Sequence, residues 1–284
     1  MKRTLQDYKS PIKPIWCPGC GDYGILRALQ QALLDLNIAP ENIVTVSGIG
    51  CSGRFSHYLN TYSLHGTHGR AVPTALGAKA ARPDLTVLAI GGDGDGMGIG
   101  GGHIPHAARK NVDITYLLID NRIYGLTKGQ MSPTTPFGQK TKTSPYGVSE
   151  APMNALAVFL AYDISFIART ASMNIPEMTQ ILKAAISHRG MSLVYILSPC
   201  MTFPVLKSSE IKEMVQPLPK EHDPGNKLGA LELAYTERPL YTGIFYQVQK
   251  PVLETQLKQQ VQAACRQLAD GEPVSIKQLL KSYV

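Results

Sequence analysis

The stretch LTVLAIGGDGDGMGIGGGHIPHAARKNVDITYLLIDN, from Leu85 to Asn121, decides the fold. It begins with an apolar run, Leu85 to Ile90, and ends with a second apolar run, Ile114 to Ile119. Between them lie a glycine-rich turn and a helical pattern near Ile104 to Lys110. Continuous apolar runs of this length are typical of strands buried on both faces. The stretch therefore predicts two parallel strands joined by a helix.

The same alternation of strands and helices continues along most of the chain. A helical pattern at Tyr23 to Asn37 precedes a strand that ends at Ser47. A long loop, Asn121 to Pro152, separates these elements from further helix and strand patterns that end at Cys200. This order predicts an α/β fold with a doubly wound, mostly parallel sheet covered on both faces. Such sheets bind ligands beyond the carboxyl ends of their strands.

The chain is expected to contain two regions of different composition. Residues 1–200 are predicted to form the α/β domain that carries the ligand sites. Residues 201–284 are rich in proline and charge, with one amphipathic helix near Val252 to Asp270. We expect them to form an irregular C-terminal extension that contacts a partner subunit or the domain itself.

Composition restricts the class of protein. The chain has 284 residues, 44% of them hydrophobic, which suits a soluble protein with a sizeable core. Its 28 Lys and Arg against 21 Asp and Glu suit phosphorylated ligands, an acidic protein partner, or only a basic surface. A polar start and the lack of a long apolar run predict a cytoplasmic protein without a membrane segment. Lys and Arg are not concentrated on one helix, so no nucleic-acid partner is expected.

The glycine-rich turn has the residues of a metal and diphosphate site. Asp93 lies between Gly92 and Gly94, and 26 residues separate Gly94 from Asn121, which ends the next strand. Glycines let backbone N–H groups approach a diphosphate, and the two side-chain oxygens suit Mg²⁺. The spacing resembles the thiamine diphosphate (TPP) binding motif. A dinucleotide site is less favoured because Asp93 and Asp95 would face a pyrophosphate, and a plain glycine turn is the alternative without a ligand.

Four of the five cysteines fall where the predicted sheet would bring them near this turn. Cys51 follows the first strand, Cys200 follows the last strand of the domain, and Cys17 and Cys20 form a C-x-x-C pair near the start. Cys265 is left over in the late helix. The C-x-x-C pair alone suits a redox disulfide, zinc or iron–sulfur chemistry. Four thiolates suit zinc or an iron–sulfur cluster equally, and separate buried thiols are a third possibility.

Several short motifs carry a family resemblance. In chain order they are WCPGCGDYGIL, GIGCSGRF, HGTHGRAVPTALGAKAARPDLTV, GGDGD, IDNRIYGLTKGQMSPTTP and SPC. Together they make the region from Ile15 to Cys200 resemble the β subunit of the 2-oxoacid:ferredoxin oxidoreductases. The resemblance implies a TPP-binding fold and a reaction of a 2-oxoacid with coenzyme A that gives an acyl-CoA, CO₂ and reduced ferredoxin, or the reverse reaction.

The resemblance also implies ligands for three cofactors: TPP, Mg²⁺ and a 4Fe-4S cluster. The implied cluster ligands are Cys17, Cys20, Cys51 and Cys200. The implied Mg²⁺ ligands are Asp93, Asn121 and the backbone carbonyl of Ile123. The residues expected around TPP are Ile49, Gly50, Cys51, Ser52, His68, Gly94, Asp95, Gly125 and Leu126.

Two of the residues near these ligands are expected to act on the substrate. In the family a basic residue at the position of Arg54 accompanies substrates with a second carboxylate, so the resemblance favours 2-oxoglutarate over pyruvate. An Arg54 that only pairs with a neighbour is the alternative. His68 is expected to hydrogen-bond the TPP diphosphate or the reacting carboxylate. Lys128 suits a coenzyme A phosphate, the substrate carboxylate, or a solvated loop position.

The resemblance further implies that the chain is catalytically incomplete alone. In the family an α subunit supplies the pyrimidine side of the TPP site, in an αβ or (αβ)₂ assembly, and ferredoxin accepts the electrons. Two alternatives stay open within enzymes: a pyruvate-specific member, and a non-oxidative TPP decarboxylase with structural zinc on the four cysteines. A Cys₄ module that binds nucleic acid is the alternative outside enzymes.

Overall fold

The glycine-rich stretch lies at the centre of a mixed sheet in the computed structural model, which describes residues 3–270. The strands are β1 (Ile43–Ser47), β2 (Tyr62–His65), β3 (Thr86–Gly92), β4 (Thr115–Asp120), β5 (Ile123–Tyr124), β6 (Gln130–Met131), β7 (Phe166–Ala171), β8 (Ser192–Leu197), β9 (Val215–Pro217) and β10 (Leu240–Gln247). The helices are α1 (Asp22–Asp35), α2 (Phe55–Tyr58), α3 (Ala71–Ala81), α4 (Ile104–Lys110), α5 (Ala155–Ala161), α6 (Ile175–Ser187), α7 (Ser208–Met214), α8 (Lys227–Tyr235) and α9 (Leu253–Asp270).

The main sheet has eight strands in the order β2-β1-β3-β4-β8-β7-β10-β9. Neighbouring strands are parallel except β10, which pairs antiparallel with β7. Strands β5 and β6 form a separate antiparallel hairpin. Strands β1, β4, β7 and β8 are buried along their whole length, which explains their continuous apolar sequences. The predicted mostly parallel sheet is confirmed.

Helices cover both faces of this sheet. On one face α1 and α6 pack together and bury Ile25, Leu29 and Leu182 against the strands. On the other face α3, α4, α5 and α8 contribute buried side chains that include Ala75 and Phe159. The two apolar layers confirm the doubly wound arrangement. No helix among residues 3–270 is both long enough and apolar enough to span a lipid bilayer.

The predicted elements agree closely with the observed ones. The helix expected at Tyr23 to Asn37 is observed at Asp22–Asp35, and the strand expected at Ile114 to Ile119 is observed at Thr115–Asp120. Differences of one or two residues are ordinary at the ends of elements. The short edge strand β2 and the β5–β6 hairpin were not predicted. Strand β2 is exposed along its length, so its sequence lacks the apolar run of a buried strand.

The segment after Cys200 is more regular than its sequence indicates. Strands β9 and β10 extend the sheet at one edge, and α7 and α8 pack on the same domain. The bulge between Ile244 and Tyr246, and Gly243 with φ of 131°, interrupt the pattern that would reveal β10. Helix α9 is the predicted amphipathic helix. Residues 271–284 of the predicted extension lie outside the described residues.

We expect Phe245→Ala to show that β10 is an integral part of the domain. Phe245 on β10 is fully buried in the apolar core. Its truncation should therefore lower the free energy of unfolding by about 3–5 kcal/mol. Gln247→Ala on the same strand is the control, because Gln247 is exposed and its loss should cost about 0.5 kcal/mol or less. Urea unfolding of the full chain measures both. Equal stability of the two variants would contradict the packing of β10.

Candidate active site

The carboxyl ends of β1, β3 and β4 surround a cavity of about 180 Å³, which we call the acidic cavity. Its walls come from the turns that follow these strands and from the loop after β2, as expected for a sheet of this type. It contains all of the residues that the sequence analysis placed around TPP and Mg²⁺, namely Ile49, Gly50, Cys51, Ser52, His68, Asp93, Gly94, Asp95, Asn121, Ile123, Gly125 and Leu126. The structure therefore brings these residues together, and their roles as ligands stay predictions.

Asp95 holds two of these walls in place. Its buried Oδ1 accepts hydrogen bonds from the backbone N–H of Ile49 at 2.8 Å and of Gly69 at 2.7 Å. The Nδ1 of His68 lies 2.7 Å from the same oxygen. Because a carboxylate accepts, this contact assigns the ring proton of His68 to Nδ1. The Oδ2 of Asp95 is buried without a hydrogen-bond partner among the described residues.

Asp93 is paired with a second buried carboxyl group. The hydroxyl of Thr134 lies 2.8 Å from Asp93 Oδ2 and 2.7 Å from Asp120 Oδ1. A hydroxyl carries one proton, so it donates to one of these groups and accepts from the other. Burial, followed by the charge of Asp120, raises the pKa of Asp93 well above its ordinary value. A cation beside Asp93 would lower the free-energy cost of charging its buried carboxyl group.

The oxygen donors of the acidic cavity fit Mg²⁺ chemically. Asp93 follows β3, and Asn121 follows the neighbouring strand β4. The Oδ1 of Asn121 accepts a hydrogen bond from the N–H of Ile123 at 3.0 Å, which folds the chain between them into a tight turn. Carboxylate, amide and carbonyl oxygens are hard ligands of the kind that Mg²⁺ prefers. The described residues contain no group of three or more His, Cys, Asp and Glu side chains that by itself would hold a metal ion.

Two glycines give the cavity its open backbone. A Cβ added to Gly94 would lie 2.4 Å from the ring of Tyr124, whose hydroxyl donates to the Gly94 carbonyl at 2.7 Å. Gly50 has a backbone φ of 116°, which residues with a side chain rarely adopt, and a Cβ added there would meet no atom within 4 Å. Backbone N–H groups in such turns can approach a diphosphate closely. The open backbone at Gly50 and Gly94 therefore fits the diphosphate of TPP.

A second cavity of about 330 Å³, the thiol cavity, adjoins the first. Cys17, Cys20, Cys51 and Cys200 all line it, and all are free thiols. The volume suits a group of several atoms, whereas a single zinc ion bonded to four sulfurs at about 2.3 Å needs far less space. The donor set and the space thus fit an iron–sulfur cluster.

The thiol cavity is shielded on one side by aromatic side chains. Trp16 is 5% exposed, contacts the rings of Tyr23, Phe55 and Tyr58, and donates its indole N–H to the Cys51 carbonyl at 2.8 Å. Trp16 thus closes the thiol cavity where α1 begins.

Backbone and hydroxyl groups also contact the sulfurs. The N–H of Phe203 donates to Cys200 Sγ at 3.4 Å, and the Thr202 hydroxyl lies 3.2 Å from Cys17 Sγ. Burial, aided by Asp22, raises the pKa of Cys51 to about 11. Because thiolates are the form that ligates, metal binding here would release the thiol protons, and the charge of Arg54 partly offsets the effect of burial on Cys51.

The acidic and thiol cavities share a wall. Asp22, Cys51, Asn121, Gly125 and Leu126 line both. A group bound to Cys51 would therefore lie directly beside a group in the acidic cavity.

An open, mostly apolar cavity of about 460 Å³ lies on the other side of the β1 loop. Arg54 lines both this cavity and the thiol cavity, and no described carboxylate forms an ion pair with it. His65 also lines the open cavity, with its Nδ1 3.1 Å from the hydroxyl of Ser47. Lys128 is exposed at the rim of the thiol cavity, with φ of 85°.

Some residues of the site were missed by sequence reasoning. Asp22 is 3% exposed, lines both cavities, and burial raises its pKa to about 7. At the start of a helical pattern an acidic residue is ordinary, so the sequence gives no sign of its burial. Thr134 and Asp120 were missed because the pairing of a loop hydroxyl with a strand residue has no local signature. The adjacency of Asp120 to Asn121 was the one available signal.

Comparisons with known proteins agree with this geometry. The family model described as "Thiamine pyrophosphate enzyme, C-terminal TPP binding domain" matches residues 48–196. A second family model, for the C-terminal part of the pyruvate ferredoxin oxidoreductase β chain, matches residues 200–261. The first contains all of the residues that line the acidic cavity except Asp22, and the second begins at Cys200 and includes β9 and β10.

Curated relatives match about two thirds of the chain or more. A Mycobacterium tuberculosis protein named 2-oxoglutarate oxidoreductase subunit KorB is 47% identical over 198 residues, 70% of this chain and 53% of the relative. An Aeropyrum pernix 2-oxoacid:ferredoxin oxidoreductase β subunit is 46% identical over 72% of this chain and 66% of the relative. A Methanocaldococcus jannaschii 2-oxoglutarate synthase subunit KorB is 42% identical over 66% of this chain and 70% of the relative. The matched segment thus spans about half of the mycobacterial relative.

A solved structure is similar along nearly the whole chain. It is a 2-oxoglutarate:ferredoxin oxidoreductase from Magnetococcus marinus with 2-oxoglutarate, coenzyme A and succinyl-CoA bound. Its TM-score is 0.89 at 39% identity, covering 99% of this chain and 96% of that chain. With the family matches and the relatives above, this similarity shows that the chain belongs to the β subunits of the 2-oxoacid:ferredoxin oxidoreductases.

Proposed function

We propose that the chain provides the cofactor half of an enzyme that oxidatively decarboxylates 2-oxoglutarate with coenzyme A, giving succinyl-CoA, CO₂ and reduced ferredoxin, or that runs the reverse reductive carboxylation. The observation that carries this proposal is the wall shared by the acidic and thiol cavities. An electron donor in one and an acceptor on Cys51 in the other would be neighbours. A decarboxylase that transfers no electrons has no use for this arrangement.

The acidic cavity is proposed to hold TPP and Mg²⁺. When bound, TPP supplies the electron sink that stabilises the carbanion left by loss of CO₂ from a 2-oxoacid. Asp93, Asn121 and the Ile123 carbonyl hold Mg²⁺ at the diphosphate. His68, with its Nδ1 proton bonded to Asp95, presents a fixed ring to the cavity. The backbone N–H groups of the loop that contains Gly50 complete the proposed diphosphate site.

The four cysteines of the thiol cavity are proposed to ligate a 4Fe-4S cluster. Such a cluster accepts one electron at a time and passes it to a carrier such as ferredoxin. Cys51 lines both cavities, so a cluster that it ligates would lie beside a group bound in the acidic cavity. Trp16 and the Phe203 N–H limit water and stabilise negative charge on sulfur.

Arg54 is proposed to bind the distal carboxylate of 2-oxoglutarate. It lines both the open cavity and the thiol cavity, and its guanidinium has no ion-pair partner among residues 3–270. A guanidinium fork binds a carboxylate in bidentate fashion. The solved relative binds 2-oxoglutarate, coenzyme A and succinyl-CoA, which supports this choice of substrate.

The proposal includes partners outside this chain. An α subunit supplies the pyrimidine side of the TPP site in an αβ or (αβ)₂ assembly, and ferredoxin accepts the electrons. The chain acts in the cytoplasm, where its five free cysteines stay reduced. A pyruvate-specific enzyme is the closest alternative, and the test of Arg54 below addresses it.

Cys20→Ala should abolish binding of the cluster. One ligand of four is lost, so iron and sulfide contents should fall from about four each per chain toward zero, together with the broad absorbance near about 400 nm. Cys265→Ala is the matched control, because Cys265 is exposed on α9 and should not change either content. Metal and sulfide analysis of anaerobically purified protein measures this. Stoichiometric zinc in the unaltered protein would instead support the zinc decarboxylase.

Asp93→Asn should weaken binding of TPP at limiting Mg²⁺. Loss of a charged metal ligand should lower the affinity for Mg²⁺ by at least about tenfold. The exposed Asp84, paired with Arg82, provides the control Asp84→Asn, which should bind TPP as before. Calorimetric titration of the complex with its α subunit at several Mg²⁺ concentrations measures the effect. Unchanged Mg²⁺ dependence in Asp93→Asn would remove Asp93 from the proposed ligands.

Arg54→Gln should change the substrate preference. Loss of a charge-assisted contact of about 1.5–3 kcal/mol should lower kcat/KM for 2-oxoglutarate by about 10–150-fold and leave pyruvate turnover nearly unchanged. Arg109→Gln, at an exposed position on α4, is the control. Anaerobic turnover of both substrates by the αβ complex gives the comparison. An unaltered enzyme that prefers pyruvate would refute the role of Arg54.

A further inference from the structure

A fourth cavity, of about 660 Å³, lies at the end of β4 apart from the acidic cavity. It has no role in the proposed reaction. Arg122, Arg169 and Arg238 line it, so we call it the arginine cavity. It shares no lining residue with the acidic, thiol or open cavities. Its walls are formed by β7, β8, α5 and the segment between α8 and β10.

Arg169 is the unusual residue of this cavity. Its side chain is 4% exposed, and its Nε donates to the Tyr241 carbonyl at 2.6 Å. The guanidinium lies 5.0 Å from the centre of the Phe245 ring, and Nη2 is buried with no hydrogen-bond partner among the described residues. None of the described carboxylates lies within ion-pair distance of it. A buried charge without a counter-charge is costly, so Arg169 calls for an anion.

The nearest acid of the cavity cannot supply that anion. Asp120 Oδ1 accepts from the backbone N–H of Arg122 at 2.8 Å and contacts the Thr134 hydroxyl at 2.7 Å. The Arg122 guanidinium forms a long ion pair with Asp120, with its Nε 4.0 Å from Oδ2, so the Asp120 charge is already shared with Arg122. Asp120 Oδ2 also accepts from the Tyr195 hydroxyl. The remaining acid, Glu237, lies with Arg238 at the exposed rim. The interior of the arginine cavity therefore has an excess of positive charge.

The rest of the lining is largely apolar. Pro152, Met153, Leu156, Met214 and Leu240 contribute to the walls. A volume of this size, with apolar walls and a few directed polar groups, is typical of sites for small molecules. A ligand with an anionic head and an apolar body would satisfy both parts of the cavity.

We propose that the arginine cavity binds a small molecule through a phosphate or carboxylate group held by Arg169. A guanidinium donates strongly to either oxyanion, and Arg169 lines the cavity with no described carboxylate at ion-pair distance. Arg238, which is exposed on the lining, attracts the anion from solvent. This inference does not rest on the proposed function, because neither TPP nor the cluster uses these residues.

The test uses the complex with its α subunit, saturated with TPP and Mg²⁺ so that the acidic cavity is filled. Calorimetric titrations use three probes: inorganic phosphate, phenyl phosphate and benzoate. We expect phenyl phosphate or benzoate to bind, and to bind more tightly than inorganic phosphate because of the apolar walls. A preference between the two identifies phosphate or carboxylate as the natural head group.

Variants locate the binding. Arg169→Gln should weaken the better probe by at least about tenfold, since it removes the charged donor that lines the cavity. Arg238→Gln, at the exposed rim where folding is not at risk, should weaken it by about two- to fivefold. Arg109→Gln on α4 should leave it unchanged. The proposal is overturned if no probe binds the unaltered complex below about 10 mM, or if the affinity is unchanged in the folded variants of Arg238 and Arg169.

Discussion

The arrangement of the catalytic end of the sheet depends on the buried carboxylate of Asp95. Hydrogen bonds from Ile49, Gly69 and His68 to one of its oxygens join the loops after β1 and β2 to the turn after β3. Hydrogen bonds to charged groups contribute about 1.5–3 kcal/mol each, enough to fix loops that otherwise have few contacts. The loop after β1 also carries Cys51, so the same carboxylate positions the acidic cavity relative to the thiol cavity.

Both of these cavities bury acidic groups whose charged forms are unfavourable without a nearby cation. Asp22 and Asp93 are buried carboxyl groups with raised pKa values, and burial likewise raises the pKa of Cys51. Without metal these groups keep their protons, since charging several buried acids together is unfavourable. If Mg²⁺ and a cluster bind as proposed, Asp93 and Cys51 become ligands, and the binding free energy adds to the stability of the folded chain. The fold and its proposed cofactors are therefore energetically linked.

The sequence predicted those parts of the molecule whose signal is local. Strands such as β4 are buried on both faces and read as apolar runs, and the ends of parallel strands must meet, which placed Asp93 near Asn121 before the structure was known. It did not predict β10, where a bulge breaks the alternation, or the contact of Thr134 with both Asp93 and Asp120. That contact joins a loop to two strands, and only the folded chain brings them together.

The end of β4 separates two cavities of opposite charge, and Asp120 is the residue between them. Its Oδ1 contacts the Thr134 hydroxyl, which also contacts Asp93, and its Oδ2 accepts from the Tyr195 hydroxyl and lies 4.0 Å from Arg122 Nε. The charge of Asp120 therefore contributes to the raised pKa of Asp93 on one side, while on the other side Asp120 pairs with Arg122 and leaves Arg169 without a carboxylate partner. The acidic cavity therefore favours a bound cation, and Arg169 favours a bound anion. The charge of one buried carboxylate thus affects the ligand preference on both sides of β4.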